Sequence, residues 1–335
     1  MNGSSNSWIV VTTINSPTDQ LKNFAVLSDY NLVVVGDLKT PENWNLKNSK
    51  FLSSKETLSF EISKTLPYNS YSRKNIGYLY AIREGAELII DTDDDNDPGP
   101  NWGFPSFVET FDTIVDDPKF INIYNYFYDG LLWPRGFPLE HLTETELYDW
   151  SVNIRKELIK VGVWQGIVNG DPDVDAIYRL IINKKINFNK NPPLVLGNGL
   201  LCPFNSQNTA FTKIVFPLLY IPSTVSFRFT DILRGWIAQP IMWKYGLKLG
   251  FLENDMTQMR NDHNFIDDFR SELPCYMDTI KVCSCIAEAL ASGGSNIQED
   301  LLNVYEYLKR DKIVKPEEFD ILKAWLFDLN NIYNG

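Results

Sequence analysis

Histidine and cysteine are scarce in this 335-residue chain, which has two of the first and four of the second. Cys283-Ser-Cys285 has no matching second pair beside Cys202 and Cys275, so the spacing excludes a recognisable zinc pattern and leaves reduced thiols as the expectation. No apolar stretch approaches the ~20 residues that a bilayer span requires. Nor is there a long block of Lys and Arg. The formal net charge is −12, which argues against general affinity for nucleic acid or anionic membranes. Met1 to Ser7 is polar, without the charged and apolar regions of a signal peptide, and reads as a flexible leader over 1–7. The expectation is a soluble, cytoplasmic protein with no membrane span, for which an oligomer is an open possibility.

What is present is ample apolar material. At 44% hydrophobic, the chain can bury one large α/β core or two average ones. Trp8 to Ile14 (WIVVTTI) reads as a strand, Ser16-Pro17-Thr18-Asp19 as a helix start capped by Ser16, and Leu32 to Val35 as a second strand. This βαβ unit over 8–37 implies a parallel sheet with ligands at the carboxyl ends of its strands. Tyr71 to Glu84 reads as a helix stopped by Gly85. Thr143 and Glu146 form a capping box for a helix to about Lys160. Val161 to Ile167 is a strand, Asp171-Pro172 opens a helix through Leu180, and Thr230-Asp231 caps one to about Tyr245. Beyond Pro274 the pattern turns to amphipathic helices at roughly 278–291, 296–310 and 316–333.

The strongest chemical signal lies at residues 87–97, where a short apolar run breaks into Asp91, Asp93, Asp94, Asp95 and Asp97. Such a strand end can deliver hard oxygen ligands to Mg²⁺ or Mn²⁺, with water and a phosphorylated substrate completing the shell. If the strand continues, its period of two sets Asp93 and Asp95 on one side and Asp94 on the other. A solvated acidic turn explains the same composition, since Asp, Asn, Pro and Gly crowd residues 94–100.

The runs WIVVTTI, LPYNSYSRKNIGYLYAI, DTDDDN, WPRGFPLE, VGVWQGIVNGDPDVDAIYRL, CPFNSQNTAF and SFRFTDILRGW together resemble the STELLO glycosyltransferases over about residues 8–270. A more distant similarity, through Asp93-Asp94-Asp95, Arg135-Gly136 and Pro172 to Ala176, is to the reversibly glycosylated polypeptides, which act as UDP-arabinopyranose mutases. Plant STELLO proteins are membrane-anchored in the Golgi, and no anchor is read in this sequence. Both resemblances imply a GT-A fold, an α/β nucleotide-sugar domain over 8–270, here followed by a C-terminal helical extension over 271–335. They also imply a nucleotide-diphosphate sugar donor such as a UDP-sugar, a divalent metal, and a glycan, protein or small-molecule acceptor.

By that resemblance Asp93-Asp94-Asp95 is the DxD motif, with Asp95 as metal ligand and Asp93 facing ribose or metal. Thr12, Thr13 and Ile14 end the first strand and Asp37 the second, where a GT-A domain holds base and ribose; for Asp37 the rival is a turn residue after Gly36. Arg73, Lys74 and Asn75 open a helix and can meet a base or diphosphate, or can be a solvated face. His263 is a candidate late metal ligand or a structural histidine, and His141 is read as structural. Asp231 is the candidate base for an acceptor hydroxyl, against the alternative that it complements a helix dipole. Arg135 can clamp phosphate or sugar, and it is the residue matching the arginine that is self-glycosylated in the mutases. Trp164, Gln165, Asp173 and Asp175 are candidates for the sugar and acceptor cleft, or for capping and core packing. The leading expectation is a metal-dependent glycosyltransferase; the alternatives are a mutase acting through Arg135 and a non-catalytic scaffold of the same fold.

Overall fold

The structure is a computed structural model that describes residues 6–56, 59–115, 119–143, 150–260 and 264–335. Its strands, in chain order, are β1 (Ser7–Thr13), β2 (Asn31–Gly36), β3 (Ser49–Leu52), β4 (Leu88–Thr92), β5 (Asn96–Pro98), β6 (Val108–Ile114), β7 (Ile154–Gly170), β8 (Leu194–Leu196), β9 (Asn208–Thr212) and β10 (Leu247–Gln258). They form one sheet. β3, β2, β1 and β4 run parallel, as the βαβ unit requires. The remainder is mixed: β9 joins antiparallel to both β4 and β7, while β7 pairs parallel with β10 and β6 with β8, so the parallel sheet expected from the βαβ unit holds over the first four strands and gives way to mixed pairing beyond them. The 17-residue β7 pairs with β6 through its first half and with β10 through its second.

Both faces of the amino-terminal sheet are covered. Val10, Val33 and Val35 enter one apolar core, while their neighbours Ile9, Val11, Leu32 and Val34 enter another, so the period of two divides a continuous apolar run between two layers. The helix Lys74–Arg83 lies on the first layer at close range. A Cβ added at Gly77 would come within 2.6 Å of Val10 and 2.7 Å of Val35, so glycine sets how closely the helix approaches the sheet.

Several local expectations are corrected. The first helix spans Asp19–Ala25 and its cap is Thr18, whose side chain accepts from Leu21 N, rather than Ser16. Glu146 of the expected capping box lies outside the described residues, and Ile154 to Lys160 is strand, because pairing with β6 outweighs the helix propensity of Arg155-Lys156-Glu157-Leu158. The next helix begins at Ala176 under an Asp175 cap, not at Asp171.

The carboxyl-terminal helices are Phe265–Met277, Thr279–Ala291, Ile297–Arg310 and Glu318–Asn334. The last three follow the apolar periodicity of the sequence closely. Val282, Ile286, Leu301, Val304 and Trp325 share a continuous core with the sheet. Buried acids fasten them: Glu318 accepts from Tyr220 and from the Ser223 and Thr224 amides, and Asp328 accepts from the Glu61 and Ile62 amides. Among the described residues, no helix is long and apolar enough to cross a membrane.

Candidate functional site

A cavity of about 420 Å³ opens where β1, β2 and β4 end. Its wall includes Thr12, Thr13, Ile14, Asp37, Arg73, Asp93, Asp94, Asp95, Arg135 and Asp231, so ten of the expected site residues, drawn from six segments, meet at one place. The volume lies within the ordinary range for a ligand pocket.

The aspartates do not continue β4. The chain turns at Asp94 and Asp95, and Asn96 N donates to Asp93 O at 3.4 Å. The alternation of faces expected for an extended strand is therefore replaced by a turn that brings all three carboxylates to the cavity. Each is steered by a different element. Asp93 Oδ1 accepts from Tyr71 Oη at 2.7 Å and from Lys74 Nζ at 3.3 Å. Asp94 Oδ2 accepts from Thr13 Oγ1 and, at 3.1 Å, from Asn15 Nδ2. Asp95 Oδ1 accepts from Gln258 Nε2 at 3.0 Å. One oxygen of each carboxylate is thus tied to the protein, and the other makes no hydrogen bond among the described residues.

Crowded acids resist ionisation. Burial pushes the Asp93 carboxyl up to about 7; Lys74 pulls it back and the charge of Asp95 pushes the same way as burial. With 31% of its side chain still open to the cavity, Asp93 remains within reach of a ligand. Asp95 is also raised, by burial first, against the Gln258 hydrogen bond. A cation placed here would relieve both. Among the described residues no group of three His, Cys, Asp or Glu side chains is placed to hold a metal ion. The donor set instead suits a hard divalent ion that takes one or two carboxylates and finishes its shell with water and phosphate.

At the β2 end, Asp37 Oδ1 accepts from Leu38 N and Oδ2 from Ser70 N, which sets the carboxylate at the cavity wall. Arg73 lies 4.0 Å from it, with its guanidinium over the Tyr68 ring. Lys74 and Asn75 turn the other way. Lys74 is wholly buried beneath the turn, 2.6 Å from Asp91 and bonded to Tyr71 and the Thr92 carbonyl, and the Asn75 amide clamps the backbone of Ile221. Neither lines the cavity: Arg73 belongs to the preceding turn Tyr71–Arg73 and reaches the wall, whereas the helix that begins at Lys74 carries the next two side chains into the interior. Lys74 acts as the underside support of Asp93.

The opposite wall is an ion-pair lattice. Arg135 spends all five N–H donors: Nε and Nη2 on Asp173 at 2.8 and 2.7 Å, Nη1 and Nη2 on Asp231 at 3.1 and 2.9 Å, and Nη1 on the Arg228 carbonyl. Burial opposes its charge, yet the two carboxylates outweigh burial and hold its pKa above the usual arginine value. For Asp173 burial also opposes the charge, here by pushing the pKa up, and Arg135 prevails, keeping the carboxyl below its ordinary range. Asp231 also accepts from Ser206 N and from Ile232 N, so each of its oxygens takes two hydrogen bonds. Gly136, at φ +88°, makes the turn that aims Arg135 inward.

Trp164, Gln165 and Asp175 are spent on packing, on bonds to Asn205 and Thr209, and on a helix cap, and none lines the cavity. His263 lies outside the described residues. Sequence reasoning missed Tyr71, Phe227, Arg228, Gln258 and Arg260. Phe227 and Arg228 stand inside a quoted run, but Gln258 and Arg260 carry no local signal, since β10 brings them in through pairing with β5 and β7.

Residues 228–334 match the family model of the STELLO glycosyltransferases. Two curated relatives from Arabidopsis thaliana, named "Probable glycosyltransferase STELLO2" and "Probable glycosyltransferase STELLO1", are 34% and 35% identical to this chain, in each case over 71% of it and 34% of the relative. The chain thus spans about a third of the length of these relatives. Its mixed α/β sheet, flanking helices and helical carboxyl terminus agree with a glycosyltransferase fold, and over the matched stretches the chain is similar to the STELLO glycosyltransferases.

Proposed function

We propose that the chain transfers a sugar from a nucleotide-diphosphate donor, a UDP-sugar in the first instance, with Mn²⁺ or Mg²⁺ held by Asp93 and Asp95. The observation that carries this reading is the aspartate turn, where three carboxylates at a strand end each keep one oxygen uncommitted inside a ligand-sized cavity. A bound divalent ion supplies neutralisation of the departing diphosphate. Asp37 accepts hydrogen bonds from the uracil N–H or ribose hydroxyls, and Thr12, Thr13 and Ile14 form the wall beside it. Asp231 stands at the acceptor side, and taking a hydroxyl proton there requires exchange of one of its four hydrogen bonds.

The test is calorimetric titration of UDP with and without Mn²⁺ into the wild type and Asp95→Ala. Metal-dependent affinity is expected in the first and absent from the second; equal affinity in Mn²⁺ would remove the metal assignment. Mass spectrometry after incubation with UDP-sugars separates transferase from mutase. With every Arg135 N–H engaged and its charge stabilised, no sugar adduct on that side chain is expected.

A further inference from the structure

The cavity has a second end. Asp37 and Arg73 lie beyond β1 from the aspartate turn, whereas β10 reaches the turn from the other side, pairing with β5 immediately after it. Gln258 ends β10 on Asp95, and Arg260, two residues on, lines the cavity there beside Arg228.

The cations of this wall are unequally committed. Arg135 has no donor left. Arg228 places Nε and Nη2 on Glu272 Oε1, both at 2.8 Å, and Nη2 lies 3.8 Å from Asp173. Arg260 is different. Its side chain is 11% exposed, its one ion pair among the described residues is Asp268 at 4.0 Å, and its guanidinium makes no hydrogen bond among those residues. Burial, then repulsion from Arg228 and Arg179, brings its pKa down to about 10. A desolvated guanidinium among other guanidiniums, with its planar fork unspent, is a costly arrangement that an oxyanion completes.

Resting on the donor reading above, we propose that Arg260 binds an oxyanion of the substrate, a phosphate or carboxylate, with Arg228 adding charge at its flank. Two sources share that chemistry: the diphosphate of the donor, and an acidic group on the sugar it carries.

The experiment uses the full chain, with calorimetric titration of uridine, inorganic pyrophosphate, UDP, UDP-glucose and UDP-glucuronate in Mn²⁺ into the wild type, Arg260→Gln and Arg260→Lys. Thermal melting checks that both variants fold. The expected result is a loss of about 10-fold or more in pyrophosphate and UDP affinity in Arg260→Gln, with uridine unchanged and a smaller loss in Arg260→Lys. If pyrophosphate and UDP keep their affinity and only UDP-glucuronate weakens relative to UDP-glucose, the oxyanion belongs to the sugar. Unchanged affinity of Arg260→Gln for every anionic ligand overturns the proposal while leaving the donor reading intact. A wild type that binds pyrophosphate through Arg260 but neither uridine nor UDP has the opposite meaning: the oxyanion site stands and the nucleotide donor falls.

Discussion

Arg135 and Asp231 face each other in a parallel two-bond fork, Nη1 to Oδ1 at 3.1 Å and Nη2 to Oδ2 at 2.9 Å, with both side chains under one-tenth exposed. Because Asp173 grips the other edge of the same guanidinium, one arginine holds two buried carboxylates. Arg135→Met would leave both carboxylates without their main counter-charge, and a destabilisation of about 3–5 kcal/mol is expected by chemical denaturation. A change under about 1 kcal/mol would show that the lattice contributes little.

Beneath the turn, Lys74 is fully buried between Asp91 at 2.6 Å and Asp93 at 3.3 Å, while Arg234 reaches the other oxygen of Asp91 at 2.8 Å. Lys74 is close to Asp91 Oδ1 without an aligned hydrogen bond on that oxygen, so charge attraction dominates their contact. Lys74→Met is expected to destabilise the fold by about 3 kcal/mol or more, since it leaves a buried carboxylate half compensated. In the same variant, Mn²⁺-dependent UDP binding at a temperature where the protein is folded should weaken, because Asp93 loses its support. Retained affinity would separate Lys74 from the site.

Asp175 gives a pH signature. Its carboxyl is buried and raised from 3.8 to about 6, with burial outweighing the hydrogen bonds from Tyr178 N and Trp133 Nε1. A folded-state pKa above the unfolded one means that the proton stabilises the fold. The contribution is complete below about pH 4 and is lost as pH rises through about 6, amounting to about 3 kcal/mol. Denaturation curves from pH 4 to 7.5 should fall less steeply with pH in Asp175→Asn than in the wild type, the difference between the two proteins changing by about 3 kcal/mol across the range while the slope from the raised Asp93 and Asp95 remains in both. Parallel pH profiles would count against the assignment.

All four cysteines are buried and free. Burial pushes Cys202, Cys283 and Cys285 up to about 12 and Cys275 higher still, so thiolate is scarce at neutral pH. None should react with a chromogenic thiol reagent in the folded protein at pH 7, and all four should react in denaturant. Rapid labelling of any one in the native state would contradict the packing.

The sequence by itself determined the βαβ entry, the aspartate run and the phases of the last three helices. These are local properties: β-branched runs, a cluster of acids and a 3.6-residue period are written within a few residues of one another. Ten residues of the cavity wall were named as well, chiefly through the resemblance to known glycosyltransferases, and the strand ends among them meet because such a unit gathers its strand ends at one edge of the sheet. Only the tertiary structure decided what those residues can do. It turned the chain at Asp94, buried Lys74 and Asn75 under the wall they were expected to line, and used up Arg135 on two aspartates far from it in sequence. It also made Ile154 to Lys160 a strand, through pairing with β6, which lies some forty to fifty residues earlier in the chain. Gln258 and Arg260 reached the cavity by the same means. Long-range pairing and burial depend on partners that no local window contains, and they decide which donors and acceptors remain unspent at the site.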